Sequence, residues 1–128
     1  MSKLGLALVV GCGGFIGAAL RYIISVFATK NLGGSFPYGT FIANLLGAIL
    51  IGFIMELSMD STAISPNMRL FLTTGIMGGL TTFSTFSYET VSILSNGNIV
   101  LGIENAALNL CGSLLFVVFG QKLAKILV

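Results

Sequence analysis

The sequence has no histidine and no tryptophan, only two cysteines and two prolines, and just four acidic and six basic side chains. Without histidine it lacks the side chain most used as a general base or metal ligand near neutral pH. Cys12 and Cys111 each lie in an apolar run far from any second cysteine, so the clustered ligands of a zinc site are missing. Both are expected as small buried hydrophobes. The scarcity of charge excludes more. Charged residues make up 8% of the chain, against roughly 25% in a soluble domain, so the chain cannot cover a water-facing surface. A net charge of +2, scattered along the chain, leaves no footprint for nucleic acid. No nucleophile–base pair or metal cluster is visible, so an enzyme is not expected.

What is abundant is apolar: 55% of residues are hydrophobic, with mean hydropathy +1.04 and 17 glycines. A membrane span needs about 20 mostly apolar residues. Stretches at about 4–28, 39–55, 70–94 and 99–120 meet that need, the first holding Arg21, the third Glu89 and the fourth Glu104. The fold class is therefore an all-α membrane protein, one domain over 1–128 with four transmembrane helices. The connections carry turn chemistry: Gly33, Gly34 and Pro37 in 29–38, Ser65-Pro66 in the stretch from Glu56 to Arg69, and Ser95-Asn96-Gly97-Asn98. Ser65 should cap the third helix, with Pro66 in its first turn. The apolar run continues past Cys12, further than the core of a signal peptide extends, so it is read as a span. Lys3, Arg69, Lys122 and Lys125 fall on one side and Lys30 on the other, with Arg21 toward its end, a modest bias toward an inward N-terminus.

Small residues four apart (Gly13 and Gly17, Ala43 and Gly47, Ala48 and Gly52) let helices approach closely, within one chain or between copies. Polar groups inside the spans are costly and so informative. Asn44 sits mid-span and serves either a helix–helix hydrogen bond or a polar pathway. Asn105, Asn109 and Ser113 recur at i, i+4 and i+8 along one helix face. In the third span, Gly75-Ile76-Met77-Gly78-Gly79-Leu80-Thr81-Thr82-Phe83-Ser84-Thr85-Phe86-Ser87 puts glycines ahead of hydroxyl residues. Glycine weakens helix and hydroxyls compete for its carbonyls. The block predicts a third helix broken at mid-membrane, tolerable where freed backbone is buried or meets an ion. Phe83 and Phe86, three apart, present ring edges that tolerate a partly dehydrated anion. Arg21 either snorkels to the interface, attracts anions at a vestibule, or pairs with Glu89.

With these motifs the chain resembles the small fluoride channels of bacteria, the Fluc or CrcB family. The resemblance covers nearly the whole chain and rests on Gly13-Gly14 with Gly17 and Arg21-Tyr22, on Gly39-Thr40-Phe41 with Asn44 and Gly47, and above all on the block from Gly78 to Ser87. It implies an antiparallel, dual-topology homodimer in the bacterial inner membrane, with two pores that leak fluoride passively out of the cytoplasm. By position it implies Phe83, Phe86 and Asn44 as pore residues, with Asn105, Asn109 and Ser113 along a polar track on the fourth helix. It further implies a structural sodium ion at the dimer centre, held by the backbone carbonyls of Gly78 and Thr81. The competing reading is a proton-coupled small multidrug-type exporter, for which only Glu89 or Glu104 could supply the membrane acid. A membrane scaffold without transport is a third.

Overall fold

Ser2 and Gly33 bracket the first helix. In the computed structural model, which describes residues 1–60 and 64–127, the Ser2 hydroxyl accepts from the Gly5 amide at 3.1 Å and opens α1, Lys3–Leu32. Gly33, at φ 85°, closes it in a conformation that favours glycine. Then follow α2, Tyr38–Asp60; α3, Pro66–Leu70; a wide π-helical segment, Phe71–Met77; α4, Gly78–Leu80; α5, Ser84–Ser95; and α6, Ile99–Leu127. Among the described residues there is no strand. The helices Lys3–Leu32, Tyr38–Met59 and Ile99–Leu127 are each long and apolar enough to cross a membrane. The segments from Pro66 to Ser95 run in series and fit a fourth crossing.

Local signals explain several boundaries. Ser65 accepts from the Met68 amide at 3.3 Å with Pro66 in the first turn. Gly97, at φ 85°, turns α5 into α6, and the Asn98 side chain receives the Leu101 amide at 3.2 Å. The stretch expected as a connection from Glu56 onward is helical to Asp60, while its residues 61–63 lie outside the described residues. Along this extension Glu56 is paired: its Oε1 lies 3.2 Å from Lys125 Nζ on α6. The lysine is mostly exposed, and surface pairs of this kind contribute about 0–1 kcal/mol. Lys125→Ala should therefore lower the melting temperature of the detergent-solubilised protein by no more than a few degrees.

Packing relies on missing side chains. A Cβ on Gly13 would lie 2.6 Å from the Phe71 carbonyl oxygen and 2.9 Å from the Gly75 Cα, so α1 meets the π segment backbone to backbone. Gly17 and Gly79 continue the seam, a Cβ on either colliding with main-chain atoms of the other strut. On the far side, Gly52 meets the Val117 carbonyl and Gly120 the Ile49 carbonyl, locking α2 to α6. The small-residue pairs of the sequence thus pack within the chain. The buried apolar residues are correspondingly few and mostly small, among them Ala28, Ala43, Ala48 and Ala124. Large side chains such as Phe15, Leu114 and Leu115 face outward, as a lipid solvent permits. Cys12 and Cys111, expected inside, are free and exposed on this outer surface, where apolar lipid serves a thiol as well as a protein core does.

Candidate functional site

Helical geometry lapses where the glycine and hydroxyl block changes character. Leu80 ends α4, Thr81 is extended (φ −84°, ψ 159°), and helix resumes at Ser84. Such a lapse frees backbone groups that must be retaken inside a membrane. Asn44 of α2 retakes two of them. Its Oδ1 accepts from the Thr82 amide at 2.8 Å, and its Nδ2 donates to the Thr82 carbonyl at 3.2 Å. Arg21 of α1 takes a third: Nε donates to the Gly79 carbonyl at 3.2 Å, while Nη1 reaches the Thr85 hydroxyl at 3.4 Å. The Thr82 hydroxyl accepts from the Thr85 amide at 3.1 Å, the bond of a helix N-cap. Because the Thr82 and Thr85 amides are diverted in this way, the carbonyls of Gly78 and Thr81 lose the partners a continuous helix would give them.

A cavity of about 390 Å³ lies beside this segment. Gly78, Thr81, Asn44, Phe83, Phe86, Asn109 and Ser113 all border it, and among the described residues no charged side chain does. The Phe83 and Phe86 rings stand 5.6 Å apart at 59°, tilted so that edges as well as faces are presented. Phe83 is 78% exposed, so apart from the Phe86 ring little of its own chain covers it.

Two candidates lie elsewhere. Asn105 is fully buried behind the cavity wall. Arg21 approaches the lapse from the α1 side and is bonded to the third span's backbone, away from the cavity. Nor does it meet Glu89, whose Oε1 instead accepts from the Thr40 hydroxyl at 2.8 Å. Glu89 borders a second cavity, of about 360 Å³, along with hydroxyls of Ser25, Thr29, Tyr38 and Ser92, and its buried Oε2 has no hydrogen-bond partner among the described residues.

The polar stripe of α6 runs inward as a ladder. Asn44 Nδ2 donates to Asn109 Oδ1 at 2.9 Å, and Asn109 Nδ2 to Asn105 Oδ1 at 2.9 Å. Sequence reading missed the ladder's last rung, Thr90, whose hydroxyl accepts from Asn105 Nδ2 at 2.8 Å. A signal was available: reflection about the Asn96–Asn98 turn brings position 90 opposite 105, 86 opposite 109 and 82 opposite 113. The hydroxyls, rings and amides of α5 and α6 therefore share one face of a helical hairpin.

Comparison with known proteins bears on what such a face is for. Residues 8–121 match the family model described as CrcB-like protein, Camphor Resistance (CrcB). The chain is 77% identical over 127 residues to a protein of Clostridium perfringens named fluoride-specific ion channel FluC, covering 99% of each. A protein of the same name from Clostridium novyi is 61% identical over 126 residues, covering 98% of each. Another, from Ruminiclostridium cellulolyticum, is 48% identical over 116 residues, covering 91% of this chain and 89% of that protein.

Proposed function

The chain belongs to the CrcB family, and from that premise we propose that it is a multi-pass channel of the bacterial cell membrane that lets fluoride leave the cytoplasm passively. The observation that carries the reading is the cavity beside the lapse in the third span. Its walls bring the edges of Phe83 and Phe86 together with the hydroxyls of Thr82 and Ser113, without one charged side chain among the described residues. Fluoride is small and accepts hydrogen bonds strongly. Hydroxyls and polarised ring edges can replace its water one contact at a time. Its lining offers no cationic side chain to trap the ion, so entry and exit stay balanced. A larger halide needs wider spacing and accepts more weakly from the same hydroxyls. No observation favours the exporter: Glu104 lies outside the cavity, and Glu89 borders a different one and is bonded to Thr40.

The finer reading is a homodimer of antiparallel copies with two pores and a sodium ion between them. Its support is local. The carbonyls of Gly78 and Thr81, released from their helical partners, are hard oxygen donors of the kind an alkali cation takes. One chain contributes two, fewer than such a cation needs, and a second copy would double them. When bound, the ion supplies a fixed positive charge that holds the freed carbonyls in place. The outward Phe83 ring likewise has room for a neighbouring copy beside it.

The test is efflux from liposomes holding the purified protein, followed with a fluoride electrode and a chloride control. Fluoride should leave while chloride stays. Equal loss of both ions, or no loss from folded protein, would overturn the proposal.

A further inference from the structure

We propose that Thr90 is a positioning residue for ion passage, its hydroxyl ending a one-way relay of hydrogen bonds that fixes the Phe86 turn of α5 against the Thr82 backbone. The relay begins and ends on the third span. The Thr82 amide donates to Asn44, Asn44 to Asn109, Asn109 to Asn105, and Asn105 to the Thr90 hydroxyl, every step between 2.8 and 2.9 Å. Thr90 Oγ1 then donates to the Phe86 carbonyl at 2.8 Å. All five bonds point the same way, so each polarises the next and each amide has a single orientation. A hydroxyl suits the last place, because it accepts from Asn105 and donates to Phe86 at once.

The donor inventory gives the relay its role. Asn44 spends its amide hydrogens on the Thr82 carbonyl and Asn109. Asn109 spends its own on the side chain and the backbone carbonyl of Asn105, which is 0% exposed. These amides are committed inside the protein and are not free to replace the water of a passing anion. What they do is hold two points four residues apart, Thr82 in the lapse and Phe86 in α5, which border the cavity. Thr90 touches neither the cavity nor the ion and acts only through Phe86 and Asn105.

The flux arm of the test rests on the fluoride reading; the spectroscopic arm does not. Thr90→Val keeps the shape and removes both bonds, whereas Thr90→Ser keeps them. In protein labelled with nitrogen-15, Thr90→Val should move the side-chain amide resonances of Asn105, Asn109 and Asn44 in turn, and lower fluoride efflux by about tenfold. Thr90→Ser should return the resonances and bring efflux to within about twofold of the parent. An unmoved Asn44 resonance in the valine variant, or a serine variant as defective as the valine one, overturns the proposal. Should the valine variant fail to fold, the parent decides. Its Asn105 and Asn109 side-chain protons should resist solvent exchange for hours, and exchange within seconds overturns the relay. A parent without fluoride flux counts against the channel reading alone, and the resonances still judge the relay.

Discussion

Asn44→Leu should reduce fluoride efflux by roughly thirtyfold or more, since two half-buried backbone groups left unpaired cost about 1–3 kcal/mol each. Leucine keeps the branched outline and the number of side-chain heavy atoms, so the main loss is one of polarity. The Thr82 amide and carbonyl both lose their partner, and Asn109 Oδ1 loses its donor. Lipid cannot replace them, and Thr82 borders the cavity, so only water held there could. The segment at 81–83 must then move to find other bonds, taking the Phe83 ring with it. Efflux per folded protein, with folding checked by size-exclusion chromatography in detergent, measures the effect. Near-parental flux in the leucine variant would show that Thr82 is held by something other than this side chain.

The second large effect is expected from a single methyl group. A Cβ on Gly17 would collide with the Ile76 carbonyl and lie 2.7 Å from the Leu80 amide nitrogen, all main-chain atoms. Side chains can turn aside, but backbone cannot, so Gly17→Ala must push α1 away from the third span. Overpacking of this kind costs about 1–3 kcal/mol, and the Arg21 bonds one turn further on are strained with it. Gly11→Ala is the matched control. It lies in the same helix with nothing within 4 Å of the added atom, and should gain up to about 1 kcal/mol from helix propensity. Thermal melts of the two variants should therefore move in opposite directions from the parent. Parallel shifts would contradict the seam.

Much of the architecture was legible because lipid simplifies the code. Long apolar runs announce helices, and Ser65-Pro66 and Gly97 mark ends by local chemistry that needs no tertiary contact. Membrane depth, however, makes outward and inward residues equally apolar, so Cys12 and Cys111 could not be placed by hydrophobicity. The π segment is silent in sequence for a similar reason. Phe71-Leu72-Thr73-Thr74-Gly75-Ile76-Met77 fits an α-helix equally well, and only the close approach of Gly13 to Gly75 distinguishes the wider turn. At the candidate site, residue types were readable while their allegiances were not. Asn44, Asn105 and Asn109 stand out as amides in an apolar run. That their hydrogens are directed at each other, and at the Thr82 carbonyl, depends on how α2, α5 and α6 meet. Arg21 shows the same limit: its charge was visible, but its attachment to Gly79 and Thr85 crosses about sixty positions of chain.

The wide turn at Phe71–Met77 has a consequence for counting. The Gly78 amide reaches back to the Thr73 carbonyl, five residues earlier, so the segment contains one residue more than an α-helix of the same rise would use. Regarded as an insertion, that residue turns everything after it by about 100° around the axis, one α-helical step. The residues of α3 before it keep their register, while Gly79, Phe83 and Phe86 acquire a new bearing. The wide turn thus contributes to the bearing of the two rings from upstream, before the lapse at Thr81 and the bonds at Thr82 and Phe86 fix it. Delete one residue from the wide turn, and the same side chains follow in the same order, aimed at different neighbours.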